Sequence, residues 1–275
     1  MNAVMAERIP VMLTIAGSDS SGGAGIQADL KTAAALGVYG ASVITALTAQ
    51  NTVGVHGILP VPPEFVVAQY DAVVSDLDVR AVKIGMLGDA ALVAAVADRL
   101  RRQPVPHVVL DPVMMATSGD RLVPDDAVEA IRTLLLPLAT VVTPNLPEAQ
   151  TLTGEPVSDA AGMTRAAHTL LALGAGAALV KGGHGDGDDA DDLLLTAAGP
   201  QWFRTRRIAT DNTHGTGCTL SSGIAAGLAT GATLADSVAA AKDFLTRALR
   251  SGAHQKVGAG HGPVDHLVDR RTTRT

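Results

Sequence analysis

The chain has 275 residues and a mass of 27.9 kDa, and 47% of its residues are hydrophobic while 17% are charged. This composition is typical of a folded protein with a large aliphatic core and argues against disorder. An aromatic content of 2% and a net charge of −6 argue against the stacking platforms and basic surface that nucleic-acid binding needs. The single cysteine, Cys218, excludes an intramolecular disulfide and a cysteine-based zinc site.

The N-terminal segment and the longest uncharged stretch bear on where the protein works. Residues 1–10 lack the apolar run of a signal peptide. Residues 212–235 are rich in Gly, Ser and Thr and do not have the character of a membrane span. We therefore expect a cytoplasmic protein that does not bind membranes.

Short β-rich runs alternate with helical patterns along the chain. In chain order the pattern predicts strand 11–16, helix 26–36, strand 38–48, helix 62–77, strand 81–84, helix 89–100, strand 107–110, helix 124–135, strand 140–143, a further helix, strand 177–180, helix 219–229 and helix 234–249. The helix that opens at Pro62 illustrates the period, because its apolar residues recur at one-turn intervals from Val66 to Leu77.

This alternation predicts an α/β fold with right-handed crossovers and a mostly parallel sheet covered on both faces. No linker or repeat interrupts it, so we expect one domain over residues 1–275 with a core at about 10–265, and a small appendage is possible near residues 45–60. Ligands of such sheets bind beyond the carboxyl ends of the strands. The loops predicted at that edge span residues 17–25, 85–88, 111–119 and 144–148.

The first of these loops, Gly17 to Gly25, is rich in glycine and serine. Its Gly-x-Gly-x-x-Ala pattern fits a loose dinucleotide fingerprint, but residues 48–51 offer no carboxylate for the ribose. The dinucleotide interpretation is therefore disfavoured. A tight strand–helix turn remains open, as does a backbone cradle for a small ligand with Asp29 and Gln50 directed into it.

The segment from Thr213 to Cys218 precedes a helix of small apolar residues. Its glycines, Gly215 and Gly217, allow close backbone approach, and the first N–H groups of a helix favour negative charge. The segment thus predicts an anion hole suited to a transferring phosphoryl group. At a helix start the thiol of Cys218 is expected to have a lowered pKa, although an inert core cysteine is the alternative.

Asp111 and Glu148 each follow a predicted strand at the same edge of the sheet. Paired carboxylates hold Mg²⁺ together with phosphates in phosphoryl-transfer sites. Glu148 could instead close a capping box with Asn145, and both roles can coexist. Lys181 follows another strand and offers a cation, while the absence of a P-loop motif argues against a P-loop kinase.

Several segments together resemble the hydroxymethylpyrimidine/phosphomethylpyrimidine kinase family of the ribokinase-like kinases. They are Gly-Ser-Asp-Ser-Ser-Gly-Gly-Ala-Gly and its continuation (17–31), residues 48–52, 83–87, 110–114, 143–148 and 181–184, and Thr-His-Gly-Thr-Gly-Cys (213–218). The resemblance implies a three-layer αβα sandwich with a mostly parallel central sheet, and a homodimer. It implies ATP and Mg²⁺, and phosphorylation of 4-amino-5-hydroxymethyl-2-methylpyrimidine and then of its monophosphate, in thiamine diphosphate biosynthesis.

The resemblance also assigns roles to individual residues. Gly17, Asp29, Gln50, Met86 and Val113 would line the pyrimidine pocket; Asp111 and Glu148 would organise Mg²⁺; Lys181, Thr213, Thr216 and Asn145 would lie along the nucleotide; and Gly215, Gly217 and Cys218 would carry catalysis. Many ribokinase-like enzymes carry Asp where Cys218 stands, and the pyrimidine-kinase branch shares the cysteine. The segments 115–122 and 184–192 are candidates for closing over the site.

Two alternatives remain. One is a kinase for pyridoxal or pyridoxine, vitamin B6 forms with a similar hydroxymethyl ring. The other is a non-catalytic sensor that binds a nucleotide or a thiamine precursor. Against the sensor stand Asp111, Glu148 and Cys218, since a sensor does not need all three together.

Overall fold

The computed structural model describes residues 8–115, 122–184 and 187–272, so both candidate closing segments extend partly outside the described residues. Its strands are β1 (Val11–Ala16), β2 (Tyr39–Ile44), β3 (Ala46–Gln50), β4 (Val55–Pro60), β5 (Val79–Ile84), β6 (His107–Leu110), β7 (Val141–Val142), β8 (Ala178–Lys181), β9 (Asp192–Thr196) and β10 (Gly199–Phe203). Its α-helices are α1 (Gly25–Ala35), α2 (Pro63–Val74), α3 (Ala90–Arg102), α4 (Asp125–Ala130), α5 (Leu146–Thr153), α6 (Ala160–Ala172), α7 (Thr216–Ala229), α8 (Leu234–Gly252) and α9 (Val268–Thr272).

The described residues form a central sheet of eight strands in the order β10-β9-β8-β7-β6-β5-β1-β2. Six neighbouring strands are parallel, namely β2, β1, β5, β6, β7 and β8. Beyond them β9 pairs antiparallel with β8, and β10 pairs antiparallel with β9. The predicted mostly parallel sheet is confirmed. The antiparallel pair was not predicted, because strong turn signals at residues 185–191 and 197–200 obscure two short strands.

Alternate residues of each strand enter two different cores, as the two-residue period of a β-strand requires. Leu13 and Ile15 of β1 pack with helices α2 to α6, while the intervening face, represented by Met12, packs with α1, α7 and α8. Helices therefore cover both faces, which confirms the three-layer αβα sandwich. No helix among the described residues has both the length and the apolar composition needed to cross a membrane.

Local chemistry accounts for many helix boundaries. The side chains of Asp89, Asp159 and Thr233 cap α3, α6 and α8 by accepting backbone N–H groups of the first turn. The predicted helix over 124–135 is α4 followed by a π-helical turn, Ile131–Leu135. Helices α7 and α8 approach closely because Gly223 and Gly227 face Ala241 and Ser237, where a Cβ would fall within 2.8 Å and 2.7 Å of side-chain atoms.

The single strand predicted over residues 38–48 is wrong. The chain leaves the main sheet at Thr45, whose N–H donates to the Ala16 carbonyl and whose hydroxyl donates to the Met86 carbonyl. Strand β3 then pairs with β4 in a separate antiparallel hairpin. This hairpin lies within residues 45–60, the region for which the sequence allows a small appendage. It brings Gln50 to the carboxyl edge of the main sheet.

Candidate active site

A cleft of about 960 Å³ lies at the carboxyl ends of the parallel strands, between the β3–β4 hairpin and the start of α7. All predicted site residues except Asp29 line it: Gly17, Gln50, Met86, Asp111, Val113, Asn145, Glu148, Lys181, Thr213, Thr216, Gly215, Gly217 and Cys218. The parallel sheet thus brings together residues that are up to about two hundred positions apart in sequence, because it aligns the ends of its strands along one edge.

One side of the cleft is built by the loop after β1 and by the hairpin. Ser18 and Ser20 of the loop exchange hydrogen bonds with Thr48 and Gln50 of β3 at 2.8 to 3.2 Å, which fastens the hairpin to the loop. A Cβ at Gly17 would lie 2.6 Å from Cε of Met86, so the loop and the methionine are packed as closely as glycine allows. This side therefore combines the apolar side chain of Met86 with the amide of Gln50 and the polar residues Ser18 and Thr48.

The opposite wall is the start of α7. Gly215 is its N-cap residue with φ +78°, a conformation that favours glycine. A Cβ on Gly217 would lie 3.4 Å from Nζ of Lys181 and 3.8 Å from Oδ2 of Asp111. The first N–H groups of this 14-residue helix, which have no intrahelical carbonyl partner, therefore lie beside a buried ammonium group and a carboxylate. The structure thus brings Gly217, Lys181 and Asp111 together at the place where the sequence predicts an anion hole.

Lys181 and Asp111 form a buried ion pair at the cleft floor, with 2.9 Å between Nζ and Oδ1. Ser221 donates to the other oxygen of Asp111 at 3.1 Å. Burial alone would raise the pKa of Asp111, but the charges of Lys181 and Lys83 outweigh it and hold the pKa below its usual range. Burial acts to lower the pKa of Lys181, yet Asp111 and Glu148 raise it, so both members of the pair are charged.

Glu148 has two structural relationships at once. Its Oε2 accepts the Asn145 N–H at 2.8 Å, and Oδ1 of Asn145 accepts the Glu148 N–H at 2.9 Å, so the capping box of α5 is present. The carboxyl also lines the cleft. Burial raises its pKa to about 7, although the nearby Lys181 ammonium acts in the opposite direction. Glu148 therefore titrates close to neutral pH.

Asp29 does not line the cleft, and its predicted place in the pyrimidine pocket is wrong. The residue is fully buried, and its carboxylate accepts from Lys83 at 3.0 Å on both oxygens, from Thr14 at 2.6 Å and from Ser222 at 2.7 Å. The sequence motif places Asp29 correctly on α1, but the helical period turns it toward the sheet. Lys83, which carried no predicted role, is the buried cation at the end of β5 that pairs with it.

Cys218 lies half-buried in the cleft wall, one residue after Gly217. Burial raises the pKa of its thiol to about 11, although Lys83 and the backbone N–H of Gly25 act to lower it. The expectation that the helix start lowers this pKa is therefore wrong, because desolvation of the thiolate outweighs the helix and the nearby cation. At neutral pH the thiol is protonated.

A third buried ion pair, which the sequence does not predict, supports the Lys181 side of the cleft. Lys242 of α8 donates to Oδ2 of Asp192 at 2.6 Å, and Oδ1 of Asp192 accepts the Gly182 N–H at 3.0 Å. The turn that follows Lys181 is thus tied to α8. In the sequence Asp192 stands just before the apolar residues 193–195. This pattern does not distinguish a buried carboxylate in an ion pair from a carboxylate in a solvent-exposed loop.

Comparison with known proteins identifies the group to which this architecture belongs. A sequence model described as phosphomethylpyrimidine kinase matches residues 19–265. The chain belongs to this family. It is 56% identical over 258 residues to the hydroxymethylpyrimidine/phosphomethylpyrimidine kinase of Rhizobium meliloti strain 1021, a match that covers 94% of this chain and 97% of the relative.

Two further proteins are similar to this chain over most of its length. A bifunctional thiamine biosynthesis protein of Geobacter sulfurreducens is 51% identical over 257 residues, which are 94% of this chain and 52% of that protein. The fold is also similar to that of a Bacillus subtilis pyridoxal kinase solved as an ADP complex, with a TM-score of 0.88, 35% identity, and coverage of 96% of this chain and 99% of the other. Both matches cover at least 94% of this chain.

Proposed function

We propose that the protein transfers the γ-phosphoryl group of ATP to the hydroxyl of 4-amino-5-hydroxymethyl-2-methylpyrimidine and then to the resulting monophosphate, in thiamine diphosphate biosynthesis. The observation that carries the proposal is the convergence of an apolar, amide-bearing wall and a glycine-rich helix start on one cleft, in a chain 56% identical to a kinase of that name. The reaction therefore needs a flat heterocycle on one side of the cleft and the phosphate chain of ATP on the other.

The pyrimidine lies against the wall formed by Gly17, Met86 and Val113. The amide of Gln50 donates and accepts at once, which matches the neighbouring donor and acceptor of an aminopyrimidine edge. Two apolar side chains on the ring faces suit a chain with few aromatic residues. Recognition of the ring therefore depends on shape and on one bidentate hydrogen-bonding group.

The nucleotide lies along the other side, with Asn145, Lys181, Thr213 and Thr216 beside its phosphates. Lys181 supplies positive charge next to the start of α7, where the first N–H groups converge. The charge that develops on the transferring phosphoryl group is stabilised by these fixed groups, Gly215 and Gly217 among them. Most of the rate acceleration comes from positioning and charge stabilisation, as is usual for phosphoryl transfer.

Asp111 and Glu148 are the residues that would hold Mg²⁺, whose charge offsets that of the phosphate oxygens when it is bound. The donor set fits this ion, because Mg²⁺ in kinases binds through one or two carboxylates together with water and phosphates. No group of three metal-ligating side chains occurs among the residues that the structure describes, so a protein-only cage is not present there. A cation near Glu148 also favours the ionised form of this carboxyl.

Cys218 faces the acceptor hydroxyl as a protonated thiol. A loose transition state leaves the acceptor proton in place until late in the transfer, so a strong base is not required. The thiol is positioned to form a hydrogen bond with that hydroxyl, and the proton passes to an oxygen of the transferred phosphoryl group or to water once the new O–P bond forms. Its main contribution is then to orient the hydroxyl.

A pyridoxal kinase activity is the second candidate, and the structural similarity to the Bacillus subtilis pyridoxal kinase favours it. Pyridoxal also presents a hydroxymethyl group on a flat heterocycle. The higher identity to the pyrimidine kinase, 56% against 35%, favours the pyrimidine as the main substrate.

The test is ADP formation with ATP and Mg²⁺, measured in parallel with the pyrimidine alcohol, with pyridoxal and without acceptor. We expect kcat/KM to be largest for the pyrimidine alcohol and ADP formation without acceptor to be negligible. A larger kcat/KM for pyridoxal would transfer the main role to the second candidate. No stimulation by either acceptor would contradict the enzyme assignment.

A further inference from the structure

A buried hydrogen bond between a carboxylate and an imidazole joins two loops of the cleft that come from opposite ends of the chain. Asp19 belongs to the loop after β1, and His214 directly precedes the N-cap residue of α7. Their Oδ2 and Nε2 atoms are 2.8 Å apart, and the side chains are 2% and 7% exposed. Neither side chain has a role in the proposed reaction, yet the pair connects the pyrimidine side of the cleft to its anion hole.

Asp19 organises its own loop through the same carboxylate. Oδ2 accepts the N–H groups of Gly23 and Ala24 at 3.0 and 2.8 Å, and Oδ1 accepts both the N–H and the hydroxyl of Ser21 at 2.9 and 2.7 Å. Burial acts to raise the pKa of Asp19, but the hydrogen bonds from His214 and Ser21 outweigh it and hold the pKa well below its usual range. The carboxylate is therefore charged and fixed in one orientation.

The backbones of the two loops are also in direct contact. A Cβ on Gly23 would overlap the imidazole of His214, and a Cβ on Gly215 would overlap the Gly23 carbonyl oxygen. The His214 N–H donates to the carbonyl of Gly262 at 3.1 Å, which holds the second loop from its other side. The two loops are therefore packed backbone against backbone around the hydrogen bond between Asp19 and His214.

The consequence for catalysis lies one residue further along the first loop. Gly25 follows Ala24, whose N–H Asp19 holds, and it is the first residue of α1 and lines the same cleft as Cys218. Cys218 is the third residue of α7, whose N-cap residue, Gly215, directly follows His214. The pair therefore connects the start of α1 to the start of α7, where Cys218 lies.

We propose that Asp19 and His214 are positioning residues for phosphoryl transfer, whose hydrogen bond holds the loop 17–25 against the loop 213–218. The pair aligns Cys218 and the first N–H groups of α7 with the acceptor hydroxyl. This inference rests on the proposed function for its kinetic consequence. Its structural consequence, that the two loops are ordered together, is independent of which acceptor is phosphorylated.

Kinetics of Asp19→Asn, His214→Ala, His214→Gln and the Asp19→Asn/His214→Ala double variant test the catalytic consequence. We expect kcat to fall about 10- to 100-fold in Asp19→Asn and His214→Ala, while the Kd of the pyrimidine alcohol changes less than about threefold, since a small misplacement of reacting groups carries this cost. The double variant should lose no more than about threefold beyond either single variant. His214→Gln should recover much of kcat, because its amide N–H can donate to Asp19.

A matched control is Asp71→Asn, which removes the ion pair between Asp71 of α2 and Arg99 of α3 on the far side of the sheet. We expect this variant to leave kcat within about twofold of the wild type. Equal losses of kcat and pyrimidine affinity in Asp19→Asn would show that Asp19 binds substrate. Unchanged kcat in both single variants, at temperatures where they are folded, would overturn the positioning role.

Hydrogen–deuterium exchange separates this inference from the proposed function, because it needs no turnover. In Asp19→Asn we expect exchange to become at least about tenfold faster both in peptides over residues 19–27 and in peptides over residues 211–220, with wild-type exchange in strands β5 and β6. Faster exchange confined to residues 19–27 would overturn the inference even if the kinase activity is present. Coupled exchange in both loops would support it even if the pyrimidine alcohol is not phosphorylated.

Discussion

Two of the buried Lys–Asp pairs, one beneath the cleft floor and one at it, have similar chemistry and different surroundings. In the pair Lys83–Asp29 both side chains are 0% exposed, and Thr14 and Ser222 complete the hydrogen bonding of the carboxylate. In the pair Lys181–Asp111 the lysine side chain is 11% exposed and lies against the start of α7. A closed network stabilises the fold, whereas a pair open to the cleft can exchange partners with a phosphate.

The two pairs also connect different elements of the fold. Lys83–Asp29 ties the end of β5 to α1 and, through Ser222, to the second turn of α7. Lys181–Asp111 connects β8 to β6 and reaches the cleft. The first pair should therefore affect mainly stability when it is broken, and the second mainly the rate of reaction.

The largest expected effect is that of Lys83→Met on stability. Removing Lys83 leaves the buried carboxylate of Asp29 without its cation, so the free energy of unfolding should fall by about 3 to 5 kcal/mol. Urea denaturation measures this change. The exposed Arg80→Met on the same strand is the matched control, with an expected change below about 0.5 kcal/mol. A loss for Lys83→Met no larger than that of Arg80→Met would contradict the stabilising role of this pair.

Lys181→Met is expected to act on the reaction. Its kcat should fall about 10²- to 10³-fold, because a fixed positive charge beside the transferring phosphoryl group is removed. Asp111 still accepts from Ser221 and Thr143, so the loss of unfolding free energy should be smaller than for Lys83→Met. Steady-state kinetics and urea denaturation of both variants check the difference. Near-normal turnover in Lys181→Met would remove the distinction between the two pairs.

Charged groups of both pairs act on the pKa of the Cys218 thiol. Replacing Cys218 therefore tests the residue that lies between the two pairs in its electrostatic surroundings. Cys218→Ala should lower kcat about 10- to 100-fold and change the Kd of the pyrimidine alcohol less than about threefold, since the thiol orients the acceptor hydroxyl. Kinetics and calorimetric binding measure the two quantities. Near-normal turnover would mean that Cys218 only packs against the cleft wall.

Gln50→Ala tests the wall opposite the ion pairs. We expect the Kd of the pyrimidine alcohol to rise about tenfold, equivalent to about 1.4 kcal/mol, because one set of hydrogen bonds to the ring is lost. The KM for ATP should stay within about twofold. Calorimetric titration measures the first and kinetics the second. An unchanged Kd would place the ring edge elsewhere in the cleft.

A separate effect is the pH dependence that Glu148 gives to stability. Its pKa of about 7 in the folded protein lies above the ordinary value of 4.5, so the folded state binds more protons than the unfolded state between these values. The contribution of Glu148 is therefore fully present below about pH 4.5 and is lost as the pH rises through about 7. Glu148→Gln keeps an acceptor for the capping box but should lose this slope. Denaturation at several pH values, with the exposed Glu129→Gln as control, measures the difference.

Much of the fold and of the site could be predicted because the information is local. Periodicity located the main strands and helices, and the ends of parallel strands meet at one edge, so Asp111, Glu148 and Lys181 were placed together correctly. The hairpin at residues 46–60 was not separated from β2, since Thr45 interrupts a continuous β-rich run only through tertiary hydrogen bonds.

The remaining features depend on burial and long-range pairing, which no local pattern contains. Asp29 could not be assigned to Lys83 before the helix and the sheet were in place. The pKa of Cys218 follows from the desolvation of its thiol, which outweighs the helix start visible in the sequence. Asp19 and His214 are 195 residues apart, and only the closeness of the two glycine-rich loops joins them.

The central claim, two successive phosphoryl transfers in one cleft, is tested most directly by a product time course. The protein is incubated with ATP, Mg²⁺ and the pyrimidine alcohol, and the phosphorylated products are followed by ³¹P NMR. The account predicts that the monophosphate forms first and is then converted to the diphosphate, with one ADP released for each transfer. Release of ADP without any phosphorylated pyrimidine, or a monophosphate that accumulates without conversion, would contradict it.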